Sequence, residues 1–169
     1  SGIDLVATYN MDWSGGNTIL SAAGNWNSTK IKDRVNRGTT ASPVYFINDE
    51  SKYDNENGNP EYRMNISARH TMNNDVTVSV RGNLYGPYKN ASDSTLATFE
   101  EYGRVTQWDA DVSWDLSEAY RLSLGVNNVF DTMPDIDEVG ESCCGRTYRS
   151  DSVQDWQGTY YYVRGQISF

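Results

Sequence analysis

The chain has 169 residues, 37% hydrophobic and 12% aromatic, so it is long enough for one domain but, at a mean hydropathy of −0.69, unusually polar for a packed globule. Its twelve tyrosines and five tryptophans exclude a disordered chain, because disordered segments are poor in aromatic residues. The net charge of −9 argues against a nucleic-acid partner, and no stretch approaches the roughly 18 apolar residues of a membrane-spanning helix.

The first residues carry no targeting signal. Residues 1–4 (SGID) lack the charged and apolar regions of a signal peptide. We therefore expect either a mature protein or a piece of a longer one, and we favour the piece.

Alternation of apolar and polar residues with period 2 predicts β-strands and no substantial helix. The cleanest example sets Val76, Val78 and Val80 against Thr77 and Ser79. Each predicted strand is close to the roughly 9–11 residues that a tilted strand needs to cross a bilayer. We predict an all-β fold, an antiparallel up-and-down meander of about seven strands. The predicted strands are residues 2–11, 18–29, 61–71, 76–84, 106–116, 120–128 and 160–169.

The connections between these strands alternate between short and long. Antiparallel strands then place every short turn at one end of the sheet and every long loop at the other, which is the layout of outer-membrane barrels. Seven is an odd number, whereas complete single-chain bacterial barrels have an even number of strands. We therefore predict a segment of a larger transmembrane β-barrel. The short turns are 12–17, 72–75 and 117–119, and the long polar loops are 30–60, 86–105 and 131–158.

The two faces of the predicted strands differ in polarity. The charged face suits either the lumen of a large barrel or the solvent side of a sandwich. The aromatic residues of the apolar face lie towards strand ends, which indicates the two girdles of a lipid-facing band, with ordinary β-sheet aromatics as the alternative. We predict one apolar surface shared by Val76, Val78, Val80, Leu122, Leu124 and Val126. The charged residues are Arg63, Arg69, Arg81, Asp109, Asp111, Asp115, Arg121 and Arg164. The aromatic residues are Tyr9, Trp26, Tyr62, Trp108, Trp114, Tyr120, Tyr161 and Phe169.

The two cysteines, Cys143 and Cys144, are adjacent in the last long loop. Neighbouring Cα atoms lie about 3.8 Å apart, below the usual disulfide range of about 4.4–6.8 Å, so a loop disulfide between them would be strained. A redox switch and a soft-metal site are the functional interpretations, and a stapled or reduced loop tip is the favoured one. No CxxC or HExxH motif accompanies the pair.

Residues 120–134, YRLSLGVNNVFDTMP, resemble the penultimate strand of TonB-dependent outer-membrane receptors. In that family a G-V-x-N-[LVI]-F-D element leads into the last extracellular loop, and the final strand ends on an aromatic residue. The final stretch TYYYVRGQISF is similar to that terminal strand, and residues 2–5 and 60–65 resemble family strands more weakly. The matching motif residues are Gly125, Asn127, Asn128, Phe130 and Asp131, and those of the terminal strand are Tyr161, Val163, Ile167 and Phe169.

The resemblance implies that residues 1–169 are the C-terminal portion of a receptor barrel of typically 22 strands, without its earlier strands and plug. The implied function is energised uptake of a bulky scarce nutrient (a ferric siderophore, cobalamin or an oligosaccharide) across the outer membrane of a Gram-negative bacterium. The implied partners are outer-membrane lipid, the remainder of the barrel with its plug, the TonB complex through parts outside this chain, and the barrel assembly machinery through the terminal strand.

Other functions have weaker support. The single histidine, His70, has no visible catalytic partner, and acidic clusters in the long loops do not match the spacing of a calcium-binding EF-hand. We predict no catalytic residue, cofactor or metal site. Two structural alternatives remain, a complete small outer-membrane barrel, which would need an eighth strand such as residues 44–47, and a soluble β-sandwich binding module.

Overall fold

The seven predicted strands form one antiparallel sheet in the computed structural model, which describes residues 1–150 and 152–168. Two short helices and a two-stranded ribbon lie in the long loops between them. In chain order the elements are β1 (Gly2–Trp13), β2 (Gly16–Asn27), α1 (Asp49–Asn57), β3 (Tyr62–Met72), β4 (Val76–Tyr85), β5 (Tyr88–Ala91), β6 (Phe99–Tyr102), β7 (Val105–Asp115), β8 (Tyr120–Asn127), α2 (Glu138–Cys144) and β9 (Tyr160–Ile167). The sheet order is β1-β2-β3-β4-β7-β8-β9, and β5 pairs only with β6. The all-β meander is therefore confirmed.

The register of the strands places the apolar residues on one surface. Directly paired residues project from the same face of a sheet, so each row of partners shares a side. The predicted common surface is confirmed, because its six residues fall into three such rows. The rows are Val76–Trp114–Leu122, Val78–Val112–Leu124 and Val80–Ala110–Val126.

The apolar face of the sheet is not covered by any other layer of the described chain. Leu5, Leu124 and Val163 are 63%, 53% and 72% exposed, and the only buried hydrophobic residue among those described is Tyr102, in a loop. A sandwich would bury this face under a second sheet. The only other sheet in residues 1–150 and 152–168 is the ribbon of β5 and β6, which belongs to a loop. This arrangement disfavours the sandwich.

The loops are sorted by length as predicted. The long loops L1 (residues 28–61), L2 (86–104) and L3 (128–159) leave the same end of the sheet, and short turns close the other end. The described chain starts at the loop end, where the Ser1 ammonium donates to the Ser28 carbonyl at 2.9 Å. It reaches Ser168 at the turn end, where the Ser168 N–H donates to the Ala119 carbonyl at 2.9 Å. Phe169 lies outside the described residues.

The two helices, α1 and α2, are short, at nine and seven residues, and the sequence predicted neither of them. Neither has a long apolar stripe, so periodicity could not reveal them. Capping residues determine where both helices begin or end. At the start of α1 the Asn48 side chain accepts from the Ser51 N–H at 2.7 Å, and Gly145 adopts the left-handed conformation that ends α2. Residues 44–47 contribute only an isolated bridge to Asn36, so they do not supply an eighth strand.

Both helices of residues 1–150 and 152–168 fall short of what a membrane-spanning helix requires.

Candidate functional site

The polar face of the sheet carries the charged residues that the sequence assigned to it. The Arg81 guanidinium lies 3.1 Å from the Asp109 carboxylate on the neighbouring strand. Asn83 donates to the same carboxylate at 3.3 Å and accepts from Asn65 at 2.6 Å. These bonds join β3, β4 and β7 across the face. The polar face is therefore an ordered network, with about 380 Å³ of open space above its centre.

The three long loops contact one another and form what we call the loop cap. L1 meets L2 where Asp54 accepts from the Ala91 N–H at 2.8 Å and where the rings of Tyr53 and Phe99 lie 4.8 Å apart. L2 meets L3 where Glu100 accepts from the Val139 N–H at 3.0 Å. A further bond between L2 and L3 joins Gly103 N–H to the Asp135 carboxylate at 2.6 Å. The cap also contains Tyr102, whose burial raises the pKa of its phenol.

The buried side chains of the described residues lie in the loop cap or directly below it. They are Pro60, Asn90, Tyr102, Asn128, Pro134 and Asp137, with Gln107 at the loop end of β7. Gln107 donates to the carbonyls of Thr132 and Asp155, at 3.2 and 3.0 Å. Gln107 thus anchors L3 of the cap to the sheet.

Asp137 is the most deeply placed charge in the cap, at 2% exposure of its side chain. It accepts from the Gly140 N–H at 2.7 Å and from the Arg146 guanidinium at 2.6 Å, which fixes the start of α2. Burial alone would raise its pKa, but these donors outweigh that effect and hold the pKa below its usual value. The carboxylate is therefore a structural anion and not a free ligand.

Acid is expected to loosen L3 through Asp137. Because the folded pKa is lowered, the stabilisation is fully present above the unfolded value of about 3.9 and is lost as the pH falls through the folded value. The protection of the Gly140 and Glu141 amides against hydrogen exchange, relative to the unfolded chain at the same pH, should fall below about pH 4. Asp137→Asn should show faster exchange already at neutral pH, whereas Glu138→Gln, in the same turn, should not. Equal protection in all three proteins at pH 7 would contradict this role.

The GVNNVFD element forms the turn by which β8 enters L3. Asn128 and Asp131 both have positive φ, at 50° and 53°. The Asn128 side chain exchanges two hydrogen bonds of 2.9 Å with the backbone of Thr132. Asp131 accepts from the Thr159 N–H at 2.9 Å, which ties the start of L3 to the start of β9. Phe130 is 71% exposed. These contacts give the motif a structural role at the loop end of the last three strands.

Gly125 and Asn127, the other motif residues, lie on the polar face. A Cβ on Gly125 would meet the Tyr162 ring at 2.2 Å, so the glycine makes room for that ring. Asn127 lies opposite Tyr160 and lines the space above the polar face. The motif therefore shapes the inner surface of β8 and β9 as well as their turn.

Gly125→Ala is expected to lower the unfolding free energy by about 1 kcal/mol, because the new methyl group displaces the Tyr162 ring. Gly165→Ala is the matched control, since a Cβ there meets nothing within 4 Å. Urea midpoints of the two variants, refolded in detergent, measure the difference. Equal midpoints would show that the Tyr162 ring does not need the glycine.

The other predicted site residues are placed as follows. Tyr161 and Val163 project from the apolar face of β9 and pair with Val126 and Leu124 on β8. Ile167, on the same face, pairs with Tyr120. The second edge of β9 is unpaired in the described chain.

The sulfur atoms of Cys143 and Cys144 are joined in a disulfide at the exposed end of α2.

The aromatic residues of the apolar face depart from the prediction at two positions, Tyr9 and Trp13. Trp26 and Tyr62 lie near the loop end, and Trp114 and Tyr120 near the turn end. Tyr9 is in the middle of its strand, in the row of Leu20 and Ala68, and belongs to neither girdle. At the turn end lies Trp13, which the prediction omitted; its ring centroid is 5.3 Å from that of His70, with the two ring planes tilted by 33°.

His70 contacts neighbouring side chains of the sheet and has no catalytic partner among them. Its ring shares a 2.9 Å hydrogen bond with the Thr18 hydroxyl beside Trp13, on the apolar face. Within residues 1–150 and 152–168, no group of three or more His, Cys, Asp or Glu residues is arranged to hold a metal ion.

The fold resembles that of a solved receptor. The crystal structure of a mutant ferric enterobactin receptor from Pseudomonas aeruginosa matches with a TM-score of 0.52 and 13% sequence identity, over 99% of this chain and 31% of that chain. The chain thus spans less than a third of that receptor's length. No protein-family model and no curated protein matches the sequence. At this identity the likeness is one of fold.

Proposed function

We propose that this chain is the C-terminal part of the β-barrel of a TonB-dependent receptor, which takes up a bulky scarce nutrient across the outer membrane. The observation that carries the proposal is the continuous, uncovered apolar face of a seven-stranded sheet whose opposite face is charged. Lipid is the solvent that such an outer face requires, and a wet or plugged lumen suits the inner one.

The height of the apolar face supports a membrane position. Ile3 and Trp13 lie at its two ends on β1, ten residues apart. At about 3.4 Å per residue and a tilt of about 45°, this stretch spans roughly 24 Å along the membrane normal. The apolar band of an outer-membrane barrel is about 25 Å tall, so the strands have the length that spanning requires.

The directions of the edge strands support a larger barrel. Successive strands of the sheet are antiparallel, so β1 and β9, the first and seventh, run in the same direction. Closing the sheet on itself would make a parallel pair, whereas bacterial barrels are antiparallel throughout. If an odd number of further strands lies between β9 and β1, each of these two edge strands has an antiparallel neighbour. A complete small barrel made from this sheet alone is disfavoured.

In this proposal the polar face packs against the plug, and the loop cap forms part of the extracellular mouth. The terminal strand, with Tyr161, Val163 and Ile167, pairs with the first barrel strand and presents the signal for the barrel assembly machinery. The TonB complex engages parts of the receptor outside this chain. The receptor forms or breaks no covalent bond in its cargo. The solved neighbour is named for ferric enterobactin, and its fold supports the receptor class.

Fractionation and uptake test the proposal together. The protein encoded by the gene that contains this chain should sediment with outer membranes, require detergent for extraction and show heat-modifiable migration. Uptake of its nutrient should cease in cells lacking TonB. Recovery of the folded protein in the soluble fraction without detergent would contradict the proposal.

A further inference from the structure

An open cleft lies on the polar side of the sheet, where the loop ends of β2 and β3 meet the C-terminal half of α1. Its volume is about 350 Å³. Every residue that lines it is polar, and four of the nine are asparagines. We call it the amide cleft. The lining residues that concern its chemistry are Asn25, Asn27, Asn55, Asn59, Glu61 and Arg63.

Several groups in the amide cleft are available to a ligand. Among the described residues, the side chains of Asn59, Glu61 and Arg63 have no hydrogen bond or ion pair. Asn55 uses its N–H to reach the Ser51 carbonyl at 2.6 Å, which leaves its oxygen as an acceptor. Glu56 is already engaged by the Ile31 N–H at 2.7 Å. The cleft therefore offers amide donors and acceptors, one carboxylate and one guanidinium.

The charges of the amide cleft do not favour an anion. Glu61 and Arg63 carry opposite charges, so their sum is zero. The charge of Glu56 is offset by Lys52, whose ammonium lies 3.4 Å from the Glu56 carboxylate. The chain as a whole carries −9. An anionic cargo would approach against this field, whereas a neutral one would not be repelled.

We propose that the amide cleft binds a neutral, polyhydroxylated ligand, a saccharide, at the mouth of the receptor. Hydroxyl groups both donate and accept hydrogen bonds, and amide and carboxylate side chains match them. The absence of aliphatic and aromatic side chains from the described lining disfavours an apolar cargo. This inference rests on the proposed function and selects the oligosaccharide among its three classes of cargo.

Binding of neutral glycans tests the inference on the detergent-solubilised protein encoded by the whole gene. An array of neutral oligosaccharides identifies the strongest ligand, and calorimetry then compares it with ferric enterobactin, an anionic complex. The double variant Asn55→Ala, Asn59→Ala should weaken glycan binding at least about tenfold, because it removes hydrogen bonds from the cleft. Asn57→Ala is the matched control.

Asn57 matches Asn55 in side chain and in hydrogen bonding. Asn57 is on the same helix, is exposed, and donates to the carbonyl four residues before it at 2.9 Å, as Asn55 does, but it does not line the cleft. Its substitution should leave the affinity within about twofold. Binding of ferric enterobactin but of no neutral glycan would overturn the inference and leave the proposed function intact. Equal weakening by Asn57→Ala would also overturn it. Loss of uptake in cells lacking TonB reports separately on the proposed function.

Discussion

Val80→Arg is expected to prevent the protein from inserting stably into a bilayer. Val80 lies in the middle of β4, in the apolar row of Ala68 and Ala110, and is 39% exposed. An arginine on the lipid face of a barrel near the midplane costs about 2–4 kcal/mol. We expect a corresponding loss of unfolding free energy in urea titrations in lipid vesicles, and less protein in the outer membrane.

Ser79→Arg controls for the added charge and size. Ser79 is the neighbouring residue on β4 and projects from the polar face, between Arg69 and Asp111. For a new guanidinium the repulsion from Arg69 and the attraction to Asp111 largely offset each other, and the face has open space at this point. Its cost should be below about 1 kcal/mol. Equal damage from both substitutions would mean that the two faces meet the same medium.

Asn128→Ala is expected to destabilise the protein by about 3 kcal/mol. The substitution removes two hydrogen bonds to Thr132, each worth roughly 1 kcal/mol. It also places alanine at a φ of 50°, where a residue other than glycine or asparagine costs about 1–2 kcal/mol. The effect should appear as a lower urea midpoint of the refolded protein, with L3 exchanging its amides faster.

Two variants separate the parts of this effect. Asn128→Gly keeps access to the left-handed conformation and loses only the hydrogen bonds, so it should cost about 1–2 kcal/mol. Asn127→Ala makes the same chemical change one residue earlier, at an exposed position on the polar face, and should cost below about 0.5 kcal/mol. A loss at Asn127 as large as that at Asn128 would contradict the assigned turn.

The strands and their faces were predictable because the signal for them is local. Alternation along each strand, together with short turns, determines which side chains share a surface. The rows through Val78 and Val80 therefore follow from the sequence alone once neighbouring strands pair. The position of Tyr9 was not predictable in this way, since the place of a residue between the two ends of the sheet depends on where its strand begins relative to its neighbours.

The interior of the loops could not be predicted in the same way. α1 and α2 are short and depend on capping residues such as Asn48 and on contacts between loops such as that of Asp54 with Ala91. The sequence around Asp137 contains a capping signal, an acidic residue three positions before Gly140, but nothing in it indicates burial. The amide cleft arises only when L1 folds over the ends of β2 and β3, so its residues share no motif.

The motif residues were predictable only in part. Resemblance singled out Gly125, Asn128 and Asp131, but it could not say what they do. The left-handed backbone at Asn128 and Asp131 and the Tyr162 ring over Gly125 now give each a physical role. These roles concern the shape of the sheet and its turn into L3.

The most direct test of the central claim, that the apolar face meets lipid and the polar face meets water, is spin labelling along β4. Single cysteines at residues 76 to 81 of the bilayer-reconstituted protein carry the label, and collisions with oxygen and with a water-soluble nickel complex are measured. Oxygen collisions should peak at Val76, Val78 and Val80, and nickel collisions at Thr77, Ser79 and Arg81. Nickel collisions that are equally frequent at all six positions would contradict the assignment of this sheet to a membrane wall.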